Sequence, residues 1–177
     1  MSSDWVQVER VGAHVLLIRL NRPEKRNALA NSMVIQIAAA LRAAREDDDL
    51  RAVVLTGGPS AFCAGADIAE LNATHGAATR DPKRVHAWNE IQTFPKPLIA
   101  AVNGFAYGAG NELAMVCDFI ICGSDAKFAQ PEVNIGGIAG DGGTQRLPRR
   151  IHAGQALWVL MSGLPMDADT AYRVGHV

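Results

Sequence analysis

Aliphatic runs separated by polar stretches rich in glycine and proline recur along the whole chain. HVLLIRL (His14 to Leu20) and RAVVL (Arg51 to Leu55) read as buried strands, and LIAAV (Leu98 to Val102) as a third. DFIIC (Asp118 to Cys122) and Ala126 to Ala129 read as shorter ones. Helical spacing takes over elsewhere. Val34, Ile37, Leu41 and Ala44 recur every three or four residues behind Asn31 or Ser32, either of which can cap a helix. Val85 to Phe94 reads as a second helix, ended by Pro95 and Pro97. AFCAGADIAEL (Ala61 to Leu71) begins as a loop and turns helical near Asp67, and GFAYGAGNELAM (Gly104 to Met115) is a turn followed by a helix. The acidic run Glu46 to Asp49 opposes a helix C-terminal dipole and belongs in a solvated loop. Thr74 to Lys83 reads as a polar, mobile connection, and PEVNIGGIAGDGGTQRLP as a glycine-rich loop leading to helix. Alternation of strand and helix throughout gives an α/β class, and near-continuous apolar strands predict sheets covered on both faces.

Composition narrows this picture. The chain has 177 residues, enough for one domain (1–177) with a sizeable core. A net charge of −1 gives no basic surface for nucleic acid. Three cysteines without a CxxC pair, and five scattered histidines, argue against a disulfide framework or a metal site. No apolar run reaches the roughly 20 residues that span a bilayer, and the N-terminal residues lack signal-peptide character. A cytoplasmic protein with no membrane partner is the expectation.

Candidate chemistry sits at three glycine-rich turns, Gly65 to Asp67, Gly104 to Gly110 and Gly136 to Gly143. Each precedes a helix, whose first N–H groups lack internal partners. Two such donors converging on a carbonyl oxygen make an oxyanion hole, although any single turn reads first as a plain tight turn. The spacings match neither a dinucleotide fingerprint, a P-loop nor a serine elbow. Cys63 reads as a small core residue with no histidine near it in sequence. Glu112 is either a charge at a helix start or a carboxylate buried for proton transfer. Glu132, among Phe128, Ala129, Val133 and Ile135, repeats the pattern beside another turn.

Five blocks carry a resemblance: NRPEKRNAL (Asn21 to Leu29), VVLTGGPSAFCAGADIAEL (Val53 to Leu71), KPLIAAVNGFAYGAGNELAMVCDFIIC (Lys96 to Cys122), FAQPEVNIG (Phe128 to Gly136) and GGTQRLPR (Gly142 to Arg149). In these the chain resembles the enoyl-CoA hydratase (crotonase) superfamily over nearly its whole length. The resemblance implies a ββα spiral core, an acyl-CoA thioester substrate, assembly as trimers or hexamers, and no cofactor beyond the coenzyme A of the substrate. It implies oxyanion donors at the N–H groups of Ala66 and Ala109 and acid/base roles for Glu112 and Glu132. Ala64, Asp67, Ile68, Ala69, Gly108, Pro131 and Gly140 would line the acyl and coenzyme path, with Lys25, Arg26 and Ala28 near the adenine and phosphates. Ala139 and Asp141 depart from the usual hydratase pattern, where proline and alanine are common. Asp141 coincides with an aspartate that dienoyl-CoA isomerases use, and as a plain residue it reads as a loop cap. An isomerase using Glu132 and Asp141, and a non-catalytic acyl-CoA-binding protein, are the alternatives to a hydratase. The family's sequences ordinarily continue past the closing YRVGHV into further helices, so the helical region beyond it is expected to be largely missing.

Overall fold

The computed structural model describes residues 4–177. Its larger sheet runs in the order β1-β2-β3-β5-β7, from β1 (Val6–Val11), β2 (Val15–Leu20), β3 (Ala52–Thr56), β5 (Leu98–Val102) and β7 (Phe119–Cys122). β1 and β2 form an antiparallel hairpin, and the remaining neighbours are parallel. β1 is almost wholly exposed, so its half-polar VQVERV carries no burial signal and no strand was expected there.

Ile18 pairs with Leu55 and Leu55 with Ala100, which places these buried residues in one row of the inner face. On the opposite face Ile99 pairs with Phe119 and Ala101 with Ile121, and Phe119 and Ile121 are about half exposed. The expectation of sheets covered on both faces is therefore corrected. Apolar composition runs straight through these strands, but β2, β3 and β5 alternate between buried and half-buried positions, and one face is only partly covered.

Helix α1 (Asn31–Arg45) buries Met33, Val34, Ile37, Ala38, Leu41 and Ala44, as its spacing predicts. Its N-cap is Ala30, with no side-chain cap of its own. The carboxylate of Glu70 instead accepts the Asn31 N–H at 2.9 Å, so the cap comes from a distant residue and not from Asn31 or Ser32. Helix α3 (Pro82–Gln92) packs on α1 and is capped by Asp81, which accepts the Lys83 N–H. Thr74 to Lys83, expected as a mobile connection, holds a 3₁₀ turn over Ala77–Arg80 and the first residues of α3.

The smaller sheet carries two of the glycine-rich turns at its strand ends. Its order is β4-β6-β8-β9, from β4 (Ala61–Cys63), β6 (Phe105–Tyr107), β8 (Lys127–Ala129) and β9 (Met166–Asp167). Ala61–Cys63 and Phe105–Tyr107, expected as loop and turn, are strands of three residues each, too short for a period to show. The chain repeats one path. β3 leads to β4 and then α2 (Ile68–Ala73), β5 leads to β6 and then α4 (Ala109–Val116), and β7 leads to β8 and then a 3₁₀ turn (Pro131–Ile135). Because β4, β6 and β8 are adjacent and parallel, their C-terminal ends lie side by side. Two of the glycine turns, and the residues ahead of the third, leave those ends. After them come α5 (Gly143–Arg150), α6 (Ala153–Ser162), β9 and α7 (Ala168–Arg173). No helix among the described residues is long and apolar enough to cross a membrane.

Candidate active site

The first turn is set by a polar stitch beneath it. The Asn27 side chain accepts the Arg22 N–H at 2.8 Å and donates to the carbonyls of Ala61 and Phe62, both at 3.1 Å. Ala64 N–H donates to Arg26 O at 3.0 Å, and Leu29 N–H to Gly65 O at 2.8 Å. The loop from Arg22 to Leu29 is thus laid along the turn that carries Ala66. Asp67 caps α2 through the N–H groups of Ala69 and Glu70 and pairs with Arg22 at 2.7 Å. The Arg22 guanidinium and these N–H bonds hold its carboxyl below the usual range, against the opposing effect of burial. Its carboxylate is committed to the Arg22 pair and the α2 cap. Lys25 and Arg26 are exposed beside Ala64, where a polyanion could meet them.

The second turn starts α4. Gly108 takes φ +52°, a conformation L side chains rarely adopt, and a Cβ there would lie 2.9 Å from Glu132 Oε1. Ala109 is the first residue of α4, so its N–H has no intrahelical acceptor. Among the described residues, neither Ala109 nor Ala66 donates to a backbone carbonyl in the loops and caps. The turns are close, since a Cβ built on Gly65 would lie 3.2 Å from Tyr107 O and 4.0 Å from the Ala109 nitrogen.

Glu112 stands in the first turn of α4 at 1% exposure. Its Oε1 accepts the Gly143 N–H at 2.6 Å, a bond across the fold that replaces the simple helix-start reading. Burial pushes its carboxyl up to about 8, and the nearby Asp141 and Glu132 carboxylates add to the rise. Glu132, from the 3₁₀ turn after β8, is half-buried, and its Oε2 is enclosed without a hydrogen-bond partner. Burial, and then Asp141, raise it as well. Glu132 lines a cavity of about 280 Å³ with Ala64, Ala66, Ile68, Gly108 and Pro131. It also borders a second cavity, of about 290 Å³, with Val133, Ile138, Ala139, Leu160 and Met161.

Not every expected residue joins this centre. Ala69 is exposed on α2 outside the cavity lining, and Ala28 contributes a carbonyl to Arg22. Gly140 and Asp141 border a different cavity, of about 430 Å³, with Arg84, Trp88 and Arg146. Both Asp141 oxygens are taken by Arg84, at 2.6 and 2.5 Å, and Asp141 is neither a free acid/base group nor a loop cap. Arg84 went unnoticed in the sequence because its partner lies 57 residues away. His176 escaped notice too. It is fully buried and bonds Asn111 behind Glu112 at 3.0 Å, and burial, with Arg150 close by, lowers it to about 3. No group of three or more His, Cys, Asp or Glu able to hold a metal occurs among the described residues.

Comparison with known proteins places this geometry. The family described as enoyl-CoA hydratase/isomerase matches residues 10–177. The chain belongs to that family. It is 44% identical over 163 residues to the 2,3-dehydroadipyl-CoA hydratase of Escherichia coli (strain K12), covering 92% of this chain and 64% of the relative. It is 42% identical over 176 residues to the mitochondrial enoyl-CoA hydratase of Pongo abelii, covering 98% and 61%. The enoyl-CoA hydratase structure from Bacillus anthracis superposes with a TM-score of 0.89 at 34% identity, covering 98% of this chain and 69% of that one. The family member described here therefore spans under two thirds of the length of these curated relatives, and it carries the family's fold across that span.

Proposed function

We propose that this family member adds water across the double bond of a 2-enoyl-CoA thioester. The observation that carries the reading is the juxtaposition of two glutamates, both raised by burial, with two backbone N–H groups that find no backbone acceptor in the loops and caps of the described residues. The thioester oxygen would accept the N–H bonds of Ala66 and Ala109, stabilising negative charge as it develops on that oxygen. Glu112 and Glu132 would hold a water between them. Glu112, pushed up to about 8 by burial, would hold its proton at neutral pH and serve as the acid, with Glu132 as the base. The ionised partner takes a proton from water as its oxygen bonds C3, and the protonated partner delivers a proton to C2. Atoms and charge balance: one water enters and the pair ends with the proton it began with. Only protons and water move, so the step calls on no electron carrier. Lys25 and Arg26, exposed at the rim, suit the coenzyme phosphates.

The whole protein, mixed with crotonyl-CoA, should consume the conjugated enoyl absorbance at a rate that depends on both glutamates. Binding of an acyl-CoA without loss of that absorbance would sink the hydratase reading in favour of a binding protein. Isomerisation through Asp141 is the second reading, and the Arg84 bonds to both oxygens of that carboxylate favour hydration over it.

A further inference from the structure

Arg84 lies at the buried side of α3, with only 3% of its side chain exposed, and its guanidinium stands 5.6 Å from the Trp88 ring. A cation this buried needs a compensating anion. It finds Asp141 in a two-pronged pair, and Asp141 sits in the loop that delivers Gly143 to Glu112. Arg146 closes the same loop from the other side by donating to the Asp141 carbonyl at 2.6 Å. The loop is otherwise rich in glycine, which gives it no stiffness of its own.

We propose that the Arg84–Asp141 pair is a positioning device for Glu112, clamping the loop whose Gly143 N–H holds the glutamate and offsetting part of the negative charge that the loop brings beside it. Arg84 and Asp141 are positioning residues and touch no substrate atom. The inference rests on Glu112 being one of the two acid/base groups, but the clamp itself is readable without turnover. The charged groups that face Glu112 are Asp141 from the loop, Glu132 from the 3₁₀ turn and Arg146 from α5, with Arg84 behind Asp141 on α3. His176, which bonds Asn111 of α4, is held neutral by burial, with Arg150 adding to the effect.

The two halves of the pair have opposite predicted effects, and a merely structural role does not. Removing Asp141 as Asp141→Asn takes away a neighbouring anion and frees the Arg84 cation, so the Glu112 carboxyl titrates lower, by about one pH unit or more. Removing Arg84 as Arg84→Gln leaves the Asp141 anion unopposed, so Glu112 titrates higher. Arg84→Lys keeps the charge and loses the fork, and should bring the titration back toward that of the unaltered protein.

The measurement is carbon NMR on the whole protein labelled at the glutamate carboxyl, with the Glu112 signal assigned by its loss in Glu112→Gln. Thermal unfolding of each variant confirms folding, and if Arg84→Gln does not fold, Asp141→Asn and Arg84→Lys carry the comparison. Opposite displacements, with Arg84→Lys between, support the clamp. Folded variants whose Glu112 titration stays in place, or moves the same way in both, overturn it. Displaced titrations in a protein that hydrates no enoyl thioester would still support the clamp and would count against the catalytic reading alone.

Discussion

Glu112 and Glu132 look alike in the sequence: each is a lone carboxylate among apolar neighbours beside a glycine-rich turn. The fold gives them unlike surroundings. Glu112 is sealed inside a helix start, with one oxygen fixed by the Gly143 N–H, and its neighbours are secured by the Arg84–Asp141 pair. Glu132 rides a short 3₁₀ turn at a cavity wall, with one oxygen close to Gly108 and the other without a partner. One carboxylate is held by the protein, and the other is left with capacity for something else. The difference shows that burial and hydrogen bonding, not residue type, set the two carboxylates apart.

The contrast can be broken in three ways. Glu132→Gln should have the largest effect, a loss of about 10²- to 10⁴-fold in kcat for hydration, since a positioned proton donor or acceptor contributes that much. Its unfolding temperature should barely move, because Oε2 has no partner to lose. A large drop in stability would show that Glu132 is structural after all. Gly108→Ala comes next. It forces a side chain into φ +52° and a Cβ within 2.9 Å of Glu132 Oε1, at a cost of about 1–3 kcal/mol in stability, with the glutamate displaced. Calorimetry and kcat should fall together, and a variant as stable and active as the original would remove Gly108 from the argument.

The third effect concerns pH. Glu112 titrates near 8 when folded, against 4.5 as its ordinary value, so the folded state binds its proton more tightly. Its contribution to stability is present below about 4.5 and is lost as pH rises through 8. Glu112→Gln, which cannot ionise, should therefore gain in unfolding temperature over the unaltered protein as pH rises from 5 toward 9. Glu132→Gln, half exposed, should show a smaller gain. Equal pH dependence in the two variants would erase the distinction between the sites.

Much of this was legible in the chain. The inner strands announced themselves by aliphatic runs, α1 by its spacing, and the site by two glutamates beside glycine turns. Strands β4 and β6 stayed hidden because three residues cannot show a period, and β1 because both its faces are largely wet. The Glu70 cap on α1 and the Arg84–Asp141 pair join residues 39 and 57 positions apart, and nothing local marks such partners. Asp141 illustrates the limit: the resemblance suggested a reactive carboxylate and its place in the loop a cap, and only its neighbour in space shows a carboxylate paired with Arg84.

The stitch between the Arg22–Leu29 loop and the turn around Ala66 has a consequence for the order of assembly. Its bonds from Asn27 to Ala61 and Phe62 close loops of 34 and 35 residues, with α1 and β3 in between. Closing such loops costs entropy that the stitch cannot recover until the intervening helix and strand are in place. The turn carrying Ala66 is therefore expected to take its shape after α1 and β3, the last part of this corner to order.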